Sequence, residues 1–88
     1  MISHVSKQFR NLLAKLPRDV QRQAYEAYKQ FQQDPNHPGL NFERIQSRAH
    51  TYSARVNKDY RVLGTMRKGE MYWYWIGTHT EYDKLINP

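Results

Sequence analysis

No cysteine occurs in the 88 residues, so neither a disulfide framework nor a thiolate zinc site can hold this chain together. Stability has to come from buried aromatic and aliphatic side chains, which suits a reducing compartment such as the cytoplasm. Long apolar runs are missing as well. Nothing approaches the roughly eighteen consecutive apolar residues of a membrane span, and Met1 to Phe9 lacks the apolar core of a secretory signal. There is no phosphate-binding glycine loop, no nucleophile elbow, no pair of catalytic carboxylates and no cysteine nucleophile. His4, His37, His50 and His79 show no metal-ligand spacing, so neither a metal nor an organic cofactor is expected. Acidic residues are scarce, eight Asp plus Glu against fourteen Lys plus Arg, for a net charge of +6. That balance favours nucleic acid, an acidic protein partner, or both.

What the chain does have is periodicity. Val5, Phe9, Leu12, Leu13 and Leu16 recur at i, i+4, i+7, i+8 and i+11, one apolar face of a helix, with Ser3 or Ser6 as the N-cap. Leu16-Pro17 interrupts the pattern, because proline suits a first helical turn and constrains the residue before it. A second helix begins there, and Val20, Ala24, Ala27, Tyr28 and Phe31 repeat the same spacing. Two amphipathic helices on a tight connection make a hairpin whose shared apolar side needs a cover. Asp34-Pro35-Asn36-His37-Pro38-Gly39 is dense in turn formers and ends the second helix.

Everything beyond reads as sheet. Leu40 to Ile45 alternates apolar with polar as a first strand, followed by a polar loop through His50. With Asn57-Lys58-Asp59 as a three-residue loop, Val56 faces Tyr60 and Ala54 faces Val62. Tyr52, Ala54, Val56, Tyr60 and Val62 then share an apolar side while Ser53, Arg55 and Arg61 share the other; a slip of one residue would bury arginines. Lys68-Gly69 makes a two-residue hairpin turn, which sets Gly64 against Trp73, Val62 against Trp75 and Arg61 against Ile76. The covered face carries Met71, Trp73 and Trp75, and the open face Arg55, Arg61, Tyr72 and Tyr74. Asp83 to Ile86 forms a short helical turn. The expected fold is α+β, one domain over residues 1–88 in which an N-terminal helical hairpin packs on one face of a twisted antiparallel sheet of three to four strands.

Two arginines side by side on neighbouring strands cost a sheet roughly a few tenths of a kcal/mol unless an anion joins them. Guanidinium groups bind phosphate bidentately and can stabilise charge developing on a phosphoryl group. By residue type alone, a solvated pair bonded to carboxylates such as Glu43 or Glu70 is the simpler account of Arg55 and Arg61. His79 follows a strand end, where a side chain can project beyond the sheet and move a proton near neutrality; a merely polar loop residue is the alternative. Tyr82, three residues later, is either a phenol beside that histidine or an apolar anchor for the chain end. Tyr72 and Tyr74 can contact bases, and Arg18, Arg22 and Lys29 on the second helix form either a soluble outer face or a seat for an RNA backbone.

The order of these features resembles the RelE/ParE superfamily of toxins from bacterial type II toxin–antitoxin systems. The likeness runs through Phe9 to Leu16 with Leu16-Pro17, the helix closing at Asp34-Pro35, Pro38-Gly39-Leu40, Tyr52-Ser53-Ala54-Arg55-Val56, Asp59-Tyr60-Arg61-Val62-Leu63 and Ile76-Gly77-Thr78-His79-Thr80-Glu81-Tyr82-Asp83. Each motif is short, and their order and spacing carry the resemblance. It implies a toxin neutralised by a cognate antitoxin. RelE-like members cut translated mRNA at the ribosome without a metal, by attack of a ribose 2′-hydroxyl on the adjacent phosphate; ParE-like members poison DNA gyrase, and a degenerate member would keep only antitoxin binding. The resemblance matches Arg61 to the arginine on the scissile phosphate, Arg55 to a basic position one strand earlier, His79 to a position after the final strand held by arginine or histidine, and Tyr82 loosely to a tyrosine near the end. Ser53 stands where some members have a second basic residue, which leaves the general base open, with Glu43 a candidate. The N-terminus is a second departure. Ile2 to Val5 supplies only a stub of the usual first strand, so a sheet edge is expected to lie exposed for an antitoxin strand or a second copy of the chain.

Overall fold

The computed structural model describes residues 1–87. Along the chain these form β1 (Ser3–Val5), α1 (Lys7–Ala14), α2 (Arg18–Gln33), β2 (Glu43–Arg44), β3 (Thr51–Arg55), β4 (Tyr60–Arg67), β5 (Glu70–Thr78) and α3 (His79–Ile86). The strands build one sheet in the order β1-β5-β4-β3-β2. The helical hairpin covers one face and α3 packs on the other, so each face has its own apolar cluster.

The two helices of the hairpin start at the expected serine and proline. Ser6 Oγ accepts from the Phe9 N–H at 3.0 Å at the head of α1, and Pro17 occupies the residue before α2. Phe9, Ala24 and Phe31 are buried against Ala54, Val62, Met71, Trp73 and Ile76. Phe31 meets Trp73 edge to face, with centroids 5.3 Å apart and an interplanar angle of 82°, a favourable aromatic arrangement.

Both tight hairpins have the expected register. Val56 N donates to Tyr60 O at 3.1 Å across the three-residue loop. In the second hairpin Arg67 faces Glu70, and Lys68 and Gly69 both have positive φ, 50° and 79°, which defines a type I′ turn.

Four features differ from the sequence expectation. A β-bulge falls between Leu63 and Gly64, so Gly64 still faces Trp73 but Leu63 faces Trp75, Val62 faces Ile76 and Arg61 faces Gly77. The extra residue turns the rest of β5 over. Ile76 takes the covered position predicted for Trp75, and Trp75 packs instead against the cluster under α3. The physical reason lies at Gly64, where an added Cβ would stand 2.6 Å from Met71 Cε and 2.7 Å from Trp73 Cε3; only glycine admits these two large side chains so close to the strand.

Residues 3–5 form a true strand, parallel to β5 with His4 opposite Tyr72, so the edge of β5 is paired and the sheet is mixed and five-stranded. Tyr28 holds this strand by donating its hydroxyl to Ser3 O at 2.8 Å. The first antiparallel strand is shorter than its pattern suggested: Pro38–Leu40 is a 3-10 turn and β2 is two residues long. Finally, α3 begins at His79 and not at Asp83, because Thr78 and Glu81 form a capping box.

Candidate nucleic-acid interface

Arg55 ends β3, Arg61 is the second residue of β4, and the two are direct partners across the ladder. Since Val56 and Tyr60 are joined by a backbone hydrogen bond, alternation makes the arginine pair a non-hydrogen-bonded one. Such pairs have Cα atoms about 4.5 Å apart and the closest side chains of an antiparallel sheet. Neither guanidinium has a carboxylate within salt-bridge distance among the described residues, whose close contacts between a side-chain nitrogen and a carboxylate are His4 with Glu70 and His79 with Asp83. The carboxylate-bonded account of the two arginines is therefore not what the structure shows.

Arg61 is held by the hairpin it follows. Its Nη1 donates to Asn57 O at 2.8 Å and Tyr60 O at 3.1 Å, leaving its other donors for a ligand. The loop supplying those carbonyls is itself fixed. Asn57 Oδ1 accepts from the N–H groups of Asp59 and Tyr60 at 2.8 and 2.9 Å, and its Nδ2 donates to Gln23 Oε1 of α2 at 2.6 Å. A side chain locked in this way loses little entropy on binding an anion.

Opposite Arg61 stands Gly77. Trp75 Cζ2 lies against the position a Cβ would occupy there, with Cη2 2.7 Å and Glu81 Oε1 2.9 Å from it. The indole thus forms a wall next to Arg61, a role hidden from a reading of strict alternation. Gly64 carried the signal, since an isolated glycine within a strand marks a bulge.

His79 reaches the same end of the sheet. Its N–H donates to Asp59 O in the β3–β4 loop at 2.8 Å, its ring is exposed, and Nδ1 lies 3.7 Å from Asp83 Oδ1. Tyr82 is buried with Ile45 and Leu63, its ring 6.0 Å from the imidazole. The packing favours its anchoring role. Glu43 is exposed on β2 opposite Ser53, on the same face as Arg55 and diagonal to it.

The remaining candidates lie apart. Tyr72 is exposed and stacks on His4, with centroids 4.7 Å apart and planes at 18°. Tyr74 is half-buried at the margin of the α3 cluster. Arg18, Arg22 and Lys29 are exposed on α2, which covers the face opposite the arginine pair. Their spacing forms one stripe with exposed Tyr25, over whose ring the Lys29 ammonium sits at 5.4 Å. The structure separates this stripe from Arg55 and Arg61. Among the described residues no cluster of metal-ligating side chains occurs, and no helix is long and apolar enough to cross a membrane.

Fold and site together describe a small α+β domain with two arginines paired across adjacent strands at one end of its sheet. The family model for the ParE-like toxin domain matches residues 18–84, and the chain belongs to that family of toxin domains. Its fold is that of RelE. A chain of the RelB–RelE antitoxin–toxin complex from Methanococcus jannaschii superposes with a TM-score of 0.74 at 14% identity, covering 96% of this chain and 98% of that one. A chain of the RelBE2 toxin–antitoxin complex from Mycobacterium tuberculosis gives 0.67 at 21% identity over 89% and 96%. The isolated RelE toxin of E. coli gives 0.65 at 14% identity over 97% of both chains. No functionally curated protein matches by sequence.

Proposed function

We propose that the chain is the toxin of a type II toxin–antitoxin system and acts as a metal-independent endoribonuclease on translated mRNA at the ribosome. The observation that carries this reading is the Arg55–Arg61 pair, adjacent across the ladder, without carboxylate partners among the described residues, and held on one side by the Asn57 loop. In the proposed reaction the ribose 2′-oxygen bonds to the neighbouring phosphorus while the bond from phosphorus to the 5′-oxygen breaks, leaving a cyclic phosphate and a 5′-hydroxyl. Arg61 holds the scissile phosphate and Arg55 offsets the charge that builds on its oxygens. His79 transfers a proton, and Glu43 is the carboxylate on this face suited to accept one from the 2′-hydroxyl. Tyr82 contributes by anchoring α3 beneath His79. An antitoxin of the RelB kind, seen with several fold relatives, covers the basic face until it is removed.

A second reading comes from the family match itself, since ParE-like members act on DNA gyrase. The two separate in one experiment. Purified protein is added to a translating extract and to a gyrase supercoiling reaction, beside an Arg61→Ala version. The ribonuclease reading expects new mRNA ends bearing cyclic phosphates with wild type only, and unchanged supercoiling. Intact mRNA together with inhibited supercoiling would establish the gyrase reading in its place.

A further inference from the structure

The bulge does more than turn Trp75 over. It places Tyr74 and Trp75, consecutive in sequence, on the face that also carries Tyr72, and both stay half-exposed at the edge of the α3 cluster. Tyr72 is 39% exposed and is backed by the stacked His4 ring. That ring is held in turn by Glu70 Oε1 at 2.6 Å from Nε2, so the carboxylate at this end of the sheet is already engaged. Beside the stack opens a groove of about 360 Å³ lined by His4, Thr65, Arg67, Tyr72 and Tyr74. Arg67 and Lys68 are exposed at its outer end, and the Arg61 site lies beyond Trp75 at its inner end.

We infer that this aromatic track is the path of the single-stranded RNA flanking the cleaved linkage, with bases stacked on Tyr72 and Tyr74 and the backbone drawn along by Arg67. The inference rests on the ribonuclease reading for its substrate class. Aromatic rings accept the face of any base, and a positive charge at each end fits a polyanion threaded between them. From Arg61 to Thr65, the partner of Tyr72, is four residues of strand, about 13 Å, so the track is out of reach of a ligand confined to the scissile phosphate. A duplex is excluded by its own stacking, which hides the base faces.

The test uses a short oligoribonucleotide with every 2′-oxygen methylated, which cannot form a cyclic phosphate, titrated into the whole protein while tryptophan fluorescence is followed. Saturable quenching is expected for wild type. Tyr72→Ala should bind about 5- to 140-fold more weakly, the loss of one stacked base, whereas Tyr72→Phe should bind as wild type does. A duplex of the same sequence should not compete. Circular dichroism of each variant confirms that β1 and the sheet persist. Unchanged affinity in a folded Tyr72→Ala protein, or no saturable response from wild type, would overturn the inference. So would a Tyr72→Ala protein that loses antitoxin binding and keeps the oligonucleotide, since the groove would then belong to a protein partner. Tyr72-dependent binding by a protein that cuts no mRNA would leave the track standing and remove the nuclease.

Discussion

Replacing Gly77 by alanine asks whether the Trp75 indole really lies where the bulge puts it. The glycine is buried opposite Arg61, and the new methyl would overlap Trp75 Cζ2 and approach Cη2 at 2.7 Å and Glu81 Oε1 at 2.9 Å, against the roughly 3.5–4.0 Å at which carbon atoms attract. Overpacking of this kind costs about 1–3 kcal/mol. Should the Glu81 carboxylate be displaced from Thr78, to whose N–H and hydroxyl it is bonded at 2.8 and 3.0 Å, the return half of the capping box is lost as well, a further few tenths of a kcal/mol to about 1 kcal/mol for so exposed a contact. An 88-residue domain has a total stability of about 4–13 kcal/mol, so the change is a large fraction of it. At about 4–8 °C per kcal/mol, thermal melting followed by circular dichroism should show a drop of about 4 °C at the least. Trp75→Phe removes the two offending ring atoms, so the double variant should be more stable than the sum of the single effects by about 1 kcal/mol or more. Additive effects, or an alanine variant melting with wild type, would mean that the indole does not occupy this place.

Tyr82→Ala should cost about 3–5 kcal/mol in denaturant unfolding, as expected for a buried aromatic side chain, whereas Tyr82→Phe should keep both stability and RNA cleavage; a cleavage rate that falls with the hydroxyl alone would make the phenol part of the chemistry. Thr78 holds the Glu81 carboxyl below its ordinary value of 4.5, chiefly through its backbone N–H and then its hydroxyl. The depressed value means that Glu81 stabilises the fold fully above the unfolded pKa, and that the contribution is lost as pH falls through the folded one. The difference in melting temperature between wild type and Glu81→Ala should therefore be constant near neutrality and close as the solution is acidified below pH 4.5; a gap independent of pH would contradict this.

Much of this molecule was legible in its sequence because local rules and tertiary packing agree. Proline at position 17, the serine cap and the five-position apolar spacings placed both helices. The loop at Asn57-Lys58-Asp59 set the register that makes Arg55 and Arg61 partners. Legibility ended at Gly64. Alternation assumes an unbroken pleat, and one inserted residue reverses it, so Trp75 and Ile76 exchanged faces. Residues 3–5, expected only as a stub with an exposed edge beside it, form a paired strand for another reason. Three residues are too few for a periodic signal, and this strand exists through its pairing with β5 and the Tyr28 hydroxyl, contacts some seventy and twenty-five residues away. The reach of α3 back to His79 was written in Thr78 and Glu81, a capping box that reads plainly once the strand is known to end there.

The cooperation of the two arginines on one phosphate is tested most directly by a double-mutant cycle on single-turnover cleavage of ribosome-bound mRNA. Removing one preorganised donor to a developing oxyanion lowers a rate by about 10²- to 10³-fold, and two groups serving the same phosphate fail together. Arg55→Ala and Arg61→Ala should each slow cleavage, with the double variant far less impaired than the product of the two factors. A double variant whose loss equals that product, or an Arg55→Ala protein that cleaves at the wild-type rate, would show that the pair does not act as one site.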